Sequence, residues 1–199
     1  MEFDAVILAG GKATRLGGAP KNELRYDGDT LLTHALRAAE GAGEVVVVGP
    51  GSMEVPEGIL RAREEPVFAG PAAAIAAGLD RLGANGASAP WTLVLACDMP
   101  HAVRGVAPLV QRLQSEPGMD GAMAVAADGR KQPLLGMYSK AALQREVEAA
   151  RDSGRLTNSS VFGLLARLNL LTVAVPAGST DDVDTWADAA ALGIEDLGH

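Results

Sequence analysis

The residues best equipped for chemistry lie in one stretch near the start of this 199-residue chain. Leu8-Ala9-Gly10-Gly11-Lys12-Ala13-Thr14-Arg15-Leu16-Gly17-Gly18-Ala19-Pro20-Lys21 holds four glycines within residues 10–18, and Lys12, Arg15 and Lys21 with no acid between them. Glycines let backbone N–H groups approach a ligand closely, and clustered N–H groups make a concavity for anions. The chain has only four lysines, Lys12, Lys21, Lys131 and Lys140, and two of them fall here. Residues 10–25 carry four cations against one acid, Glu23, which is +3 inside a net charge of −8. A phosphate polyanion is the expected ligand. The competing reading is a flexible surface loop whose glycines only turn the chain. Two common phosphate motifs do not apply. G-x-x-x-x-G-K-[ST] fails because Ala19-Pro20 follows Gly18, and G-x-G-x-x-G fails because Gly10 and Gly11 are adjacent.

Asp98 is the second candidate. It follows the apolar run Leu93-Val94-Leu95-Ala96 directly, which sets a carboxylate at the end of a strand. Mg²⁺ favours one or two carboxylates completed by phosphate oxygens, so Asp98 and a triphosphate in the glycine-rich loop could share one ion. The alternative is a cap for a helix that begins after Pro100. The densest acidic patch, Asp181-Asp182-Val183-Asp184-Thr185-Trp186-Ala187-Asp188, reads on its own as a solvated helix start with Asp184 as cap. Cys97 has no nominated His or Asn partner, so an inert buried thiol is expected rather than a nucleophile. His34, His101 and His199 show no metal-site spacing.

Elements that would position these groups follow from periodicity. Residues 5–9, 44–48, 92–96, 121–126 and 170–175 are short, mostly apolar runs closed by turn residues, and a further short strand is expected near 59–62. Helical spacing covers 30–40, with Thr30 as cap, and 72–82, opened by Pro71 in its first turn. Further helices are expected over 103–114, 141–151 and 185–192. Continuous apolar strands alternating with helices argue a mainly parallel sheet covered on both faces: an α/β/α sandwich, Rossmann-like, with residues 1–199 as one domain. Ligands of such sheets bind at the carboxyl ends of the strands, where the glycine-rich loop and Asp98 both lie.

Composition bounds the rest. The chain is 48% hydrophobic and 4% aromatic, so its core is built from Ala, Val and Leu, and burial of roughly 70% of the extended surface argues against disorder. The acidic balance excludes a nucleic-acid footprint, though not one triphosphate. No uncharged stretch is long enough for a membrane span. Met1-Glu2-Phe3-Asp4 lacks a basic signal-peptide start, and a single cysteine suits a reducing compartment, so a cytoplasmic location is expected.

The pattern Gly10-Gly11-x-x-x-Arg15-Leu16-Gly17-Gly18-x-x-Lys21 resembles the signature loop of the MobA-like nucleotidyltransferases. The resemblance continues through Glu64-Glu65-Pro66 with Gly70-Pro71, Cys97-Asp98-Met99-Pro100, Gln132-Pro133-Leu134 and Asp182-Val183-Asp184-Thr185, spanning residues 3–190 in order. It departs at Pro20, Asn22 and Trp186. It implies the nucleotide-diphospho-sugar transferase fold and Mg²⁺-dependent transfer of GMP from GTP to molybdopterin. The catalytic groups it implies are Arg15, Lys21 and Asp98. The nucleotide would meet Leu8, Ala9, Gly10, Gly11, Arg15, Lys21, Glu65, Gly70 and Asp98, with Glu65 reading the guanine edge. Arg130, Gln132 and Pro133 would face the acceptor, the alternative being a basic hairpin turn. Asp98 and Asp184 would hold Mg²⁺. Transient contacts with other molybdenum cofactor proteins are also implied. The D-x-D-T form of the last segment leaves CTP, or another small-molecule phosphate acceptor, as an alternative. A nucleotide-binding regulator without turnover is the reading from a different class.

Overall fold

The computed structural model describes residues 1–11 and 13–194. The chain opens with β1 (Phe3–Leu8), whose six residues are all buried. The glycine-rich loop follows, with single 3₁₀ turns at Thr14–Leu16 and Lys21–Glu23. A two-stranded hairpin, β2 (Arg25–Tyr26) with β3 (Asp29–Thr30), leads into α1 (Leu31–Ala38). Thr30 caps α1 as expected, its Oγ1 accepting from the Thr33 N–H at 3.1 Å. Then come β4 (Val45–Val48), β5 (Leu60–Ala62), α2 (Pro71–Ala84), β6 (Trp91–Ala96), α3 (Val103–Ser115) and β7 (Gly121–Val125). The last third adds β8 (Lys131–Ser139), α4 (Lys140–Asp152), α5 (Val161–Leu165), β9 (Leu170–Ala174) and α6 (Trp186–Leu192).

Seven strands form one sheet in the order β5-β4-β1-β6-β8-β7-β9. All pairs are parallel except those of β8, which runs against both β6 and β7. The expected mainly parallel, two-faced α/β architecture is what the chain adopts. Because side chains alternate along a strand, Ala5 and Ile7 join the core under α1 and α3, while Val6 and Leu8 join the one under α2, α4 and α5. Helix α2 lies so close to the sheet that a Cβ on Gly78 would come within 2.5 Å of Val6 Cγ1. The Ala-rich composition of α2 serves this approach.

Three elements are absent from the sequence expectations: the β2–β3 hairpin, α5, and above all β8. Pro133 and Gly136 interrupt the apolar pattern of 131–139, so the segment reads as a turn. Both residues have a place in the strand. Gly136 leaves room for the fully buried Tyr138 ring, whose hydroxyl donates to the Pro133 carbonyl at 2.7 Å. The β7–β8 register shifts between Met123 and Ala124, so Met123 pairs with Gly136 and Ala124 with Gln132.

The amino edge of the sheet is closed by a buried ion pair. Lys140 Nζ lies 3.0 Å from Asp4 Oδ2 and donates to the Ala87 carbonyl at 2.7 Å, while Asp4 Oδ1 accepts from the Glu44 N–H at 3.1 Å. Asp4 is 1% exposed. Removing one member leaves the other charge buried without its partner, which costs roughly 3–5 kcal/mol. Lys140→Met is therefore expected to lower unfolding free energy by about that amount in urea titrations; a loss below about 1 kcal/mol would show the pair to be dispensable.

Candidate active site

The sheet order reverses at β1. The chain runs outward from β1 to β4 and β5, then returns through α2 to β6 on β1's other side. A crevice at the carboxyl edge is the geometric result of such a switch. Here a cavity of about 650 Å³ opens beside the glycine-rich loop. The backbone continues the pairing past the strands: Ala9 N–H donates to Val48 O at 2.8 Å, and Cys97 N–H to Leu8 O at 2.9 Å. Gly10 and Asp98 therefore leave adjacent strands side by side.

Asp184 reaches this edge by a different route. Leu16, Leu24 and Leu31 pack with Val183, Ala189 and Ile194 in a small core of their own, which fastens the segment around α6 to the glycine-rich loop. The Val183 N–H donates to the Asp98 carbonyl at 3.1 Å, so Asp184 emerges next to Asp98. Lys21 Nζ then donates to Asp98 Oδ2 at 2.9 Å and to Asp184 Oδ1 at 2.6 Å. Arg15 lies outside this contact, its Nη1 3.8 Å from Asp184 Oδ2. Burial alone would depress the Lys21 ammonium, but the two carboxylates outweigh it and hold its pKa above the ordinary lysine value.

Neither carboxylate is a helix cap. Thr185 caps α6 in a reciprocal box with Asp188, and hydrogen bonds donated by the Thr185 hydroxyl and the Thr185 and Asp184 N–H groups hold the Asp188 carboxyl below the usual range. Trp186 is thus the first helical residue, a position that often takes proline because its N–H is unpaired anyway. The cap of α3 is Ala102, without a side-chain bond. Asp182 is pushed above the ordinary aspartate value by burial first, then by Asp98 and Asp184. Arg130 opposes this, its Nη1 3.7 Å from Asp182 Oδ1.

The cavity wall gathers most of the residues singled out from the sequence: Leu8, Ala9, Gly10, Gly11, Arg15, Lys21, Gly70, Asp98 and Asp184. Glu65 is exposed and outside it, whereas Glu64 is buried and lines it. Glu64 Oε1 accepts from the Phe68 N–H at 3.1 Å and lies 4.0 Å from where a Cβ on Gly10 would stand. The sequence carries two adjacent glutamates and no signal for which one turns inward. Gln132 and Pro133, the second and third residues of β8, are not in the wall, and Leu134 is the lining residue of that strand. Lys12 and His199 lie outside the described residues. Asn22, where the sequence departs from the resembled loop, is buried in the wall. Cys97 is buried, and burial pushes its thiol pKa far up, so no thiolate is available there. His34 Nε2 donates to the Tyr26 carbonyl (2.8 Å) and His101 Nε2 shares a hydrogen bond with the Tyr26 hydroxyl (2.9 Å), so both histidines have structural partners. Burial and Arg104 lower the His101 pKa.

Residues 5–167 match the family description of the MobA-like NTP transferase domain. The chain belongs to this family. It is 26% identical over 195 residues to a probable molybdenum cofactor guanylyltransferase of Bacillus anthracis, covering 94% of this chain and 88% of that one. Its fold is similar to that of a molybdopterin-guanine dinucleotide biosynthesis protein A from Archaeoglobus fulgidus, with TM-score 0.66 and 20% identity over 95% of this chain and 96% of the other. A 2-C-methyl-D-erythritol 4-phosphate cytidylyltransferase from Francisella tularensis shares the fold at TM-score 0.74 and 13% identity, over 97% and 99%. The chain is a nucleotidyltransferase enzyme of the nucleotide-diphospho-sugar transferase fold. Family members generally use a divalent metal. Two carboxylates within reach of one cation are hard oxygen donors suited to such an ion. Among the described residues no group of three or more His, Cys, Asp or Glu is placed to hold a metal ion. No helix among the described residues is long and apolar enough to cross a membrane.

The ammonium bridge makes a pH-dependent contribution with a definite sign. A lysine whose folded pKa is raised stabilises the fold fully below its ordinary value of 10.5, and that contribution fades as pH rises through the higher folded value. In chelator-treated protein, Lys21→Met is expected to cost about 1–2 kcal/mol near neutral pH. The gap to wild type should narrow above pH 10.5. Equal stabilities at pH 7 by chemical denaturation would refute the bridge.

Proposed function

We propose that this enzyme transfers GMP from GTP to the terminal phosphate of molybdopterin, releasing pyrophosphate and leaving the two halves joined by an anhydride. The observation that carries the reading is the meeting of Lys21, Asp98 and Asp184 at the mouth of the glycine-rich loop. A cavity of about 650 Å³ is in the range that accommodates a nucleotide. The guanylyltransferase named among the relatives supports the substrates. Glu64, rather than Glu65, takes the guanine edge in this reading. A carboxylate suits guanine because it accepts from both N1–H and the exocyclic amine, whereas cytosine offers only its amine.

An oxygen of the acceptor's phosphate monoester attacks the α-phosphorus of GTP. The new P–O bond forms as the bond from the α-phosphorus to the bridging oxygen breaks, and that oxygen leaves with the electron pair as part of pyrophosphate. A phosphate monoester with second pKa about 6 is mostly dianionic at neutral pH, so no side chain need remove a proton. The protein's contribution is then alignment and charge neutralisation. Lys21 and Arg15 exchange their carboxylate partners for phosphate oxygens and hold the charge that grows on pyrophosphate. Leu8, Ala9, Gly10, Gly11 and Gly70 line the nucleotide's path; Arg130, Gln132 and Pro133 face the acceptor. Asp98 and Asp184 would hold Mg²⁺, which when bound would supply Lewis-acid neutralisation of phosphate charge. The same reading assigns residues 1–199 to one domain and the enzyme to the cytoplasm, supported by a continuous sheet and a single, buried cysteine.

The test is a panel of GTP, CTP, ATP and UTP with Mg²⁺ and molybdopterin, read by product mass and pyrophosphate release. The GMP adduct is expected from GTP alone, and Asp98→Asn should lower its rate roughly 100-fold or more. A cytidylyl product from CTP alone would replace guanine by cytosine. Binding without turnover would make the chain a nucleotide-binding regulator. A fully active Asp98→Asn enzyme would remove Asp98 from the chemistry.

A further inference from the structure

We propose that Phe68 is the stacking platform for the nucleotide base, an assignment that rests on the nucleotide-binding reading above. Phe68 is 49% exposed and lines the cavity with Glu64, Pro71 and Ala74. Among the described lining residues it is the only aromatic, in a chain where aromatics make up 4%. Its ring gains little from core burial.

The backbone makes the choice of phenylalanine stranger. Residues 66–69 form a turn in which the Ala69 N–H donates to the Pro66 carbonyl at 3.1 Å. Phe68 occupies the third position with φ 62°. Turns that need positive φ there ordinarily take Gly or Asn, because a Cβ crowds the backbone. An aromatic residue in the left-handed region is an outlier that persists only where surrounding bonds enforce it. Those bonds are present. The Phe68 N–H donates to Glu64 Oε1 at 3.1 Å, and the Asn158 N–H donates to the Ala69 carbonyl at 2.6 Å. Backbone strain of this kind concentrates at ligand clamps.

One residue therefore fixes two contacts with a base. The Phe68 amide orients the Glu64 carboxylate by occupying one lone pair of Oε1, which leaves acceptor sites on both oxygens for the two donors of a base edge. The Phe68 ring supplies a flat apolar surface, and a nucleobase is a flat π system that stacks on such a ring whatever its hydrogen-bonding pattern. In this division of labour the ring contributes affinity for the base and the carboxylate contributes discrimination between bases. The phosphates, held by the glycine-rich loop and Lys21, do not depend on the ring.

Calorimetric titration of the full-length protein with GTP and, separately, with tripolyphosphate, both with Mg²⁺, tests this. Phe68→Ala should weaken GTP binding roughly 10-fold and leave tripolyphosphate binding unchanged. Phe68→Tyr should bind GTP like wild type, and Phe68→Leu, which keeps bulk without a π face, should behave like Phe68→Ala. Phe68→Gly removes the strained Cβ, so its melting temperature should match or exceed wild type while GTP binding falls, which separates lost stacking from unfolding. Full GTP affinity in Phe68→Ala or Phe68→Leu would overturn the stacking role, as would equal losses for GTP and tripolyphosphate, which would mark a loop that shapes the whole cavity. Wild-type protein that binds no nucleotide at all would instead defeat the underlying nucleotide reading.

Discussion

Two carboxylates brought together at one edge of a sheet repel each other, and the cation held between them here is the interaction that organises this molecule. Asp98 and Asp184 both sit within hydrogen-bond reach of a single nitrogen, Lys21 Nζ. Lys21 is 77 residues from Asp98 and 163 from Asp184, so three distant parts of the chain must arrive together. The sheet delivers Asp98 at the end of β6. The small leucine-rich core beneath the glycine-rich loop delivers Lys21 and Asp184 as a pair. A glycine-rich loop alone would be too free to hold an ammonium in this position. Leu16 and Leu24, buried within the loop's own span, tie it down while the glycines around them stay open to solvent.

The two edges of the sheet use ion pairs in opposite ways. At the amino edge, Asp4 and Lys140 are buried and saturated by backbone partners, so their charges are committed to the fold. At the carboxyl edge, Asp184 is about half exposed at its side chain and Arg15 is mostly exposed. Contacts between solvent-accessible charges are weak and easily exchanged. An anionic ligand with several phosphate oxygens can compete for cations held in this way, whereas nothing small could compete for Lys140. Permanence belongs to one end of the strands and exchange to the other.

Much of this was legible in the residue order. Continuous apolar runs marked β1, β4 and β6 because strands buried on both faces need no polar alternation. The glycine-rich loop declared itself by placing half of the chain's lysines in one loop of an acidic protein. What could not be read has specific causes. β8 hides behind Pro133 and Gly136, whose roles appear only once the Tyr138 ring is seen to need the space and the Pro133 carbonyl. Asp184 reads as a cap because it stands one residue before a better one, Thr185, and only the Thr185–Asp188 box decides between them. Glu64 and Glu65 are indistinguishable in composition, and the direction of each side chain depends on a turn several residues further on. Phe68 carries no sequence signal at all, since its unusual backbone angle is a tertiary property.

The reversed direction of β8 has a wider consequence. In an all-parallel sheet, every residue at the carboxyl edge comes from a strand's end. Here β7 finishes at that edge with Val125, a five-residue connection turns the chain, and β8 starts there with Lys131. The connection 126–130 is surface backbone linked to two central strands, and it belongs to neither the glycine-rich loop nor the α6 segment. Its residues 127–129 are exposed, while Arg130 ties its end to Asp182 of the α6 segment at 3.7 Å. The fold thus sets an exposed hairpin beside the fixed half of the edge. On the proposed reading that Arg130, Gln132 and Pro133 face the acceptor, this one hairpin is where such a scaffold would change its second substrate.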